Sequence, residues 1–183
     1  MCIGCWCRSS HTLKGSEMGN LLIMTKPSSQ KTLDRAVHRL LIPIDATEGS
    51  RRSVGYATDL ARQTKDVEAC LLYIVEPVRD WEVLRFRTEQ ELHRHFEERS
   101  AIFLEEASAP LRAAGIPCKT YFREQEPVFG ILDLAEQLDC TEIVIPKPNW
   151  RGFLSRGLGR KLKSAQRSIP VVLVRPDGSA EHR

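Results

Sequence analysis

Leu40-Leu41-Ile42-Pro43-Ile44 is an unbroken apolar run closed by Asp45. A run without polar alternation is what a strand buried on both faces requires, so a first strand begins near Arg39. Ser50 is placed to cap a following helix, whose apolar positions Val54, Ala57, Leu60 and Ala61 recur at helical spacing. Ala69–Val75 is a second buried strand, ended by Pro77. Thr88 and Glu91 have capping-box spacing and start a long helix. Its stripe of Leu92, Phe96, Phe103, Ala107, Leu111 and Ala114 leads to Gly115, a helix terminator, with Pro117 just beyond. Cys118–Phe122 is a third strand. Val128, Ile131, Leu132, Ala135 and Leu138 give a shorter helix after Pro127, and Glu142–Pro146 is a fourth strand. A loop from Lys147 to Gly159, a short helix over Arg160–Arg167 and a fifth strand at Pro170–Val174 complete the pattern.

Five apolar strands alternating with four helices specify a single α/β domain with right-handed crossovers and mostly parallel pairing. No internal repeat is visible. In open sheets of this kind ligands lie beyond the carboxyl ends of the strands, where the winding direction reverses. The functional search therefore goes to Asp45, the Glu76–Asp80 turn, Glu124–Pro127 and the Lys147–Gly159 loop. Residues 1–31 carry Ser, Gly, Lys and Pro without sustained periodicity and are read as a disordered extension. The domain then covers 32–176, with a C-terminal tail at 177–183.

Composition changes this picture little: of 183 residues, 42% are hydrophobic and 28% charged, as in ordinary globular proteins. Charge is more telling. Residues 1–38 hold five bases and two acids, so the remaining 145 carry 22 of each and are neutral. No stretch reaches the roughly 20 apolar residues of a membrane helix, and a cytoplasmic location is expected. Cys70, Cys118 and Cys140 lie in or beside apolar runs and read as buried thiols of a reducing compartment. Cys2, Cys5, Cys7 and His11 crowd the tail; they have soft-ligand chemistry, but no second half of a metal module follows, and no metal is assigned.

The succession Leu-Leu-Ile-Pro-Ile-Asp, a polar turn with Ser50, Leu-Leu-Tyr-Ile-Val-Glu-Pro, Ala-Gly-Ile-Pro, Glu-Pro-x-x-x-Ile-Leu and Ile-Pro-Val-Val-Leu-Val resembles the universal stress protein family from about Arg39 to Arg175. The resemblance implies an open five-stranded parallel sheet, order 3-2-1-4-5, with helices on both faces. That is a Rossmann-like arrangement of the adenine nucleotide alpha hydrolase type, usually found as a homodimer. One branch of the family binds ATP through G-x-x-G, nine residues, then G-S or G-T. On that motif Lys147 and Trp150 replace the first two glycines, Gly157 fits the third, and Leu158 replaces the hydroxyl residue. Asp45 matches the family's acid at the end of the first strand, while Pro43 and Ala69 match positions flanking the adenine. A bland reading stands beside each: an Asp after a strand caps a turn, and Pro43 and Ala69 pack.

Charge offers a partial substitute for the lost glycines. Between Ile143 and Pro176 there are eight bases and no acid, against 15 acids and eight bases in 76–142. Lys147, Arg151 and Arg156 are candidate phosphate partners, with Gly152, Gly157 and Gly159 giving the backbone room. The bland reading is a solvated basic face opposing acidic helices. Trp150 and Phe153 interleave with these arginines, yet the neutral domain and the lack of a recognisable module make nucleic acid the less favoured partner. No G-x-S-x-G, Walker loop or H-E-x-x-H occurs, and His93 and His95, two apart on a helix, face different ways. The expected protein is a non-enzymatic stress-response module, acting through dimerisation and contacts with an unidentified protein partner. ATP or AMP binding is expected to be weak or absent. The alternatives are a ligand-free protein–protein adaptor and a genuine ATP binder using the basic loop. Val171, Val172, Leu173 and Val174 are the expected dimer edge, because an apolar edge strand with unpaired amides invites a second chain.

Overall fold

The computed structural model describes residues 37–80, 85, 87–147, 157–165 and 168–181. Strands β1 (His38–Ile44), β2 (Val67–Val75), β3 (Cys118–Glu124), β4 (Glu142–Pro146) and β5 (Val171–Val174) pair in parallel in the order β3-β2-β1-β4-β5. The expected sheet is thus present, with one addition. A sixth strand, β6 (Ala180–Glu181), pairs antiparallel with β5 at Leu173↔Glu181 and Val174↔Ala180.

The segment read as a tail therefore turns back onto the sheet, and its sequence explains why. Gly178 adopts φ +81°, a conformation open to glycine, and Asp177 Oδ1 accepts from Ser179 N (2.9 Å) and Oγ (2.7 Å). Glu181 then pairs with Lys147 Nζ (3.3 Å) and Arg175 Nη2 (3.4 Å). This corrects the expectation that β5 is an open edge. Val171, Val172 and Val174 have no accessible surface within the protomer and Leu173 is half-buried, so these side chains fill the core rather than present a face.

Among the described residues four helices cover the sheet: α1 (Glu48–Gln63), α2 (Glu89–Ala113), α3 (Pro127–Gln137) and α4 (Leu158–Ala165). Side chains alternate along each strand, so the sheet feeds two cores. Leu40, Ile42 and Ile44 of β1 join Val54, Ala57, Leu104 and Leu111 under α1 and α2. Leu41 joins Cys70, Leu72, Ile131, Leu134 and Leu162 under α3 and α4.

The α2 capping box forms as the spacing predicts, with Thr88 Oγ1 accepting from Glu91 N (3.2 Å) and Glu91 Oε2 from Thr88 N (2.9 Å). The buried stripe, however, centres on Ser100, Leu104, Ser108 and Leu111, and Ala114 is exposed. Two serines fit this seam because each donates to its own helix, Ser100 to Glu97 O (2.7 Å) and Ser108 to Glu105 O (3.0 Å). The α1 start also departs from expectation. Thr47 takes the N-cap backbone position without a side-chain cap bond, and Ser50 lies buried within the first turn.

At the amino ends of the strands, Glu68 of β2 accepts from Lys119 Nζ of β3 (2.7 Å) and Arg39 Nε of β1 (3.0 Å). The Lys119 hydrogen bond, reinforced by Arg39, holds the Glu68 carboxyl below the usual carboxylate range. A carboxylate depressed in the folded state adds stability above its unfolded pKa and loses it as pH falls through the folded one. Glu68→Gln is expected to flatten the acid limb of a stability–pH curve measured by urea unfolding between pH 5 and about 3. An unchanged acid limb would remove this ion triad from the account.

Candidate functional site

The ladder between β1 and β4 runs over Leu40↔Glu142 and Leu41↔Ile143 and stops before Pro43, which brings no N–H to continue it. Beyond that point lie the carboxyl ends of β1 and β4, where the winding direction reverses. Asp45 follows β1 there. Its Oδ1 accepts from Thr47 N (3.0 Å), Thr47 Oγ1 and Ser50 Oγ (2.6 Å), while Asp45 N donates to Ser50 Oγ (2.8 Å). Ser50 is therefore a bridge between the two ends of one residue, and that occupies the hydroxyl expected to cap α1. Among the described residues no donor reaches Asp45 Oδ2. The carboxylate is fixed through one oxygen and offers the other.

Gly49 sets the width of this site. A Cβ there would sit 2.9 Å from Pro146 Cγ and 3.0 Å from its Cβ, so the first turn of α1 rests directly on the end of β4. On the far side, Gly157 (φ +82°) precedes α4 and its carbonyl accepts from Lys161 N (2.8 Å). A Cβ on Gly159 would press on Ile145 Cδ1 (3.2 Å) and Leu173 Cδ2 (3.3 Å), which seats α4 close against the sheet.

Beside Asp45 a cavity of about 380 Å³ runs between α1 and α2. Ile44, Val54, Phe103, Ala107 and Pro110 make it apolar, and Thr47, Ser50 and Thr58 add polar groups. Arg51 Nη2 and Glu106 Oε1, 2.7 Å apart, link the two helices at its lining. Both are largely exposed, at 71% and 57%, so this ion pair contributes little and yields readily.

The other expected site residues separate. Pro43 is buried in β1 opposite Leu72, directly before the crevice. Ala69 is fully buried at the other end of the sheet, paired with Leu40 and Cys118, four strand residues before Tyr73, or roughly 13 Å away along the strand. It does not flank the crevice, because strand register places it in the core. Lys147 donates its amide to Val174 O (2.7 Å) and its ammonium to Glu181, which directs it towards β5 and β6. Leu158, 8% exposed, belongs to the core under α4, so only its backbone can serve a ligand. Gly157 stands at the crevice side of α4. Arg151 and Gly152, with Trp150, Phe153 and Arg156, lie outside the described residues.

Thr47, Gly49 and Pro110 join the site without having been expected there, and Phe103, expected in the α2 stripe, lines the cavity. The D-x-T-x-x-S spacing is an available signal, since Asp and Thr side chains bond to backbone two residues on. The pairing of Gly49 with Pro146 has no local signal. His93 and His95 do face different ways: His93 Nδ1 meets Glu124 Oε2 at 2.7 Å with its ring 5.5 Å from Phe122, and His95 lies against Phe96. Among the described residues no group of three His, Cys, Asp or Glu side chains is placed to hold a metal ion. None of their helices is long and apolar enough to cross a membrane.

A sequence profile of the universal stress protein family matches residues 36–175. Among solved structures, a universal stress family protein from Burkholderia pseudomallei is 16% identical, with a TM-score of 0.60 over 75% of this chain and 95% of that one. The universal stress protein UspA from Lactobacillus plantarum is also 16% identical, with a TM-score of 0.61 over 75% and 98%. A family protein from Arabidopsis thaliana solved with AMP bound is 13% identical, with a TM-score of 0.51 over 75% and 90%. At these identities the likeness concerns the fold. A comparison with curated proteins finds no match.

Two glycines separate the packing at this site from simple helix propensity. Gly49→Ala is expected to cost about 1–3 kcal/mol by forcing α1 off Pro146. Gly55→Ala, with nothing within 4 Å of its added Cβ, is expected to gain up to about 1 kcal/mol. Paired thermal melts check the opposite signs; equal shifts would mean that Gly49 does not set the crevice.

Proposed function

The chain belongs to the universal stress protein family, and on that premise we propose that it is a non-enzymatic stress-response module whose Asp45 crevice takes an adenine nucleotide, ATP or AMP, weakly. One observation carries this reading: Asp45 Oδ1 is fixed by three donors while Oδ2 is left for a ligand. A carboxylate held in this way suits the paired hydroxyls of a ribose, which donate hydrogen bonds. The AMP bound by the Arabidopsis thaliana protein makes an adenine nucleotide the first ligand to try.

The phosphate end argues for weakness. Lys147 is engaged with Glu181, Leu158 carries a buried side chain in place of a hydroxyl, and the amino end of α4 at Gly157 is what remains among the described residues. Partial charge at one helix terminus adds about 0.3–1 kcal/mol and is screened by salt. The module is proposed to be cytoplasmic and to work as a homodimer in contact with a protein partner. Self-association at the sheet edge would proceed over β6 as well as β5, because β6 already covers Leu173 and Val174.

Calorimetry with ATP and AMP in low salt is expected to give dissociation constants near about 1 mM, weakened further in high salt. Asp45→Ala is expected to abolish the heat, with circular dichroism confirming a folded domain, and no nucleotide turnover is expected. Tight binding that survives high salt would contradict the weak-site reading. Absence of any binding by the wild type would favour the ligand-free adaptor, which the diversion of Lys147 and the burial of Leu158 already support.

A further inference from the structure

The cavity of about 380 Å³ between α1 and α2 is of the size that holds a small molecule. It opens between two helices rather than between β1 and β4, so it is not the crevice itself, although Asp45 borders both. Ile44, Val54, Ala107 and Pro110 give it aliphatic walls. Phe103 joins them, but its ring is stacked on Tyr73, with centroids 5.8 Å apart and planes at 16°, and has Arg99 Cζ 5.7 Å from its centroid. The cavity therefore suits an alkyl body more than a flat ring that needs a stacking face.

The polar groups of the lining share one chemical bias. Each hydroxyl has spent its proton within the chain: Thr47 Oγ1 and Ser50 Oγ (2.6 Å) both donate to Asp45 Oδ1, and Thr58 Oγ1 donates to Val54 O (3.1 Å). A hydroxyl has a single proton, so towards a ligand these three can only accept. The carboxylates of Asp45 and Glu106 accept as well. Pro110 adds a further acceptor. It stands inside α2 and brings no N–H, so the carbonyl of Glu106, four residues earlier, lacks the amide that a regular helix would give it. Among the described residues Arg51 is the donor side chain of this lining, and it is already shared between Glu106 Oε1 (2.7 Å) and Glu48 Oε1 (3.8 Å).

A lining with many acceptors and no spare donor fits a ligand that donates. We propose that the cavity binds a primary aliphatic amine, with its alkyl chain between the helices and its ammonium at Glu106. An ammonium has three donors and no acceptor, which matches the Glu106 carboxylate and the carbonyl that Pro110 leaves unpaired. It takes the place of Arg51 at little cost. The Arg51–Glu106 pair is largely exposed, and Arg51 keeps Glu48 when it moves. A carboxylate ligand fits less well, because it would draw Arg51 from Glu106 and then stand beside the carboxylates of Asp45 and Glu106 with one guanidinium among them.

The test titrates the full chain in low salt with butylamine, hexylamine and octylamine hydrochlorides by calorimetry, with octanol and octanoate as comparisons. Octylamine is expected to bind tightest, the dissociation constant falling about fourfold for each CH₂ added to the amine. Octanol is expected to bind less tightly, and octanoate about tenfold less tightly or more. Two variants locate the site. Ala107→Trp fills the cavity and is expected to abolish binding. Pro110→Ala returns an amide to Glu106 O, so it is expected to raise the melting temperature while weakening octylamine about two- to tenfold. That opposite movement separates loss of a ligand contact from loss of the fold, whether or not Ala107→Trp folds. Octanoate binding as tightly as octylamine, a dissociation constant independent of chain length, or an unchanged octylamine affinity in Pro110→Ala would each overturn the proposal. So would octylamine binding retained by a folded Ala107→Trp.

Discussion

Burial of the parallel sheet on both faces is the constraint on which the rest of the molecule depends. Leu40, Leu41 and Ile42 of the central strand have no accessible surface, and neither do Leu71 and Leu72 beside them. Each such side chain contributes on the order of 1.5–3 kcal/mol relative to exposure, so a sheet of this kind forms only when helices cover both sides. Parallel pairing in turn demands crossovers, and the crossovers place α1 and α2 on one face and α3 and α4 on the other. All carboxyl ends of β1 to β5 then point the same way, so that one rim of the sheet collects the loops.

The amino end of that sheet and its β5 side are handled with charge. At the amino ends Arg39 and Lys119 share Glu68 across three strands, so the least exposed member of the triad, the Glu68 carboxylate, has a cation on either side. At the β5 edge Lys147 and Arg175 converge on Glu181 of β6. A two-residue strand buries little by itself, so these pairs and the Asp177–Gly178–Ser179 turn account for its position. The same contacts decide the fate of Lys147, which a ligand would have to draw away from Glu181.

The two ends of the central strands are built differently. At the carboxyl end the β1–β4 ladder lapses at Pro43 and leaves room for polar groups, and Asp45, Thr47 and Ser50 satisfy one another there. At the amino end the β1–β2 ladder is intact, and the turn after α3 anchors through Thr141 on Arg39 O at the start of β1. Where backbone pairing lapses polar side chains gather, and where it persists the core stays packed.

What the sequence by itself determined was set by local patterns. The uninterrupted run at Leu40–Ile44, the Thr88–Glu91 capping box, the Pro127 helix start and the Glu142–Pro146 strand each carry their signal within a few residues, and the structure places them where that signal points. Asp45 was legible for the same reason, as an acid ending a buried strand. Register, facing and closure were not. Ala69 falls at the wrong end of its strand, Leu158 turns into the core, Lys147 turns to Glu181, and β6 covers an edge read as open. The meeting of Gly49 with Pro146 joins residues about 97 positions apart, and periodicity does not encode which distant elements touch. Only the tertiary structure decided these, because packing two cores against one sheet fixes register and orientation through contacts that are remote in the chain.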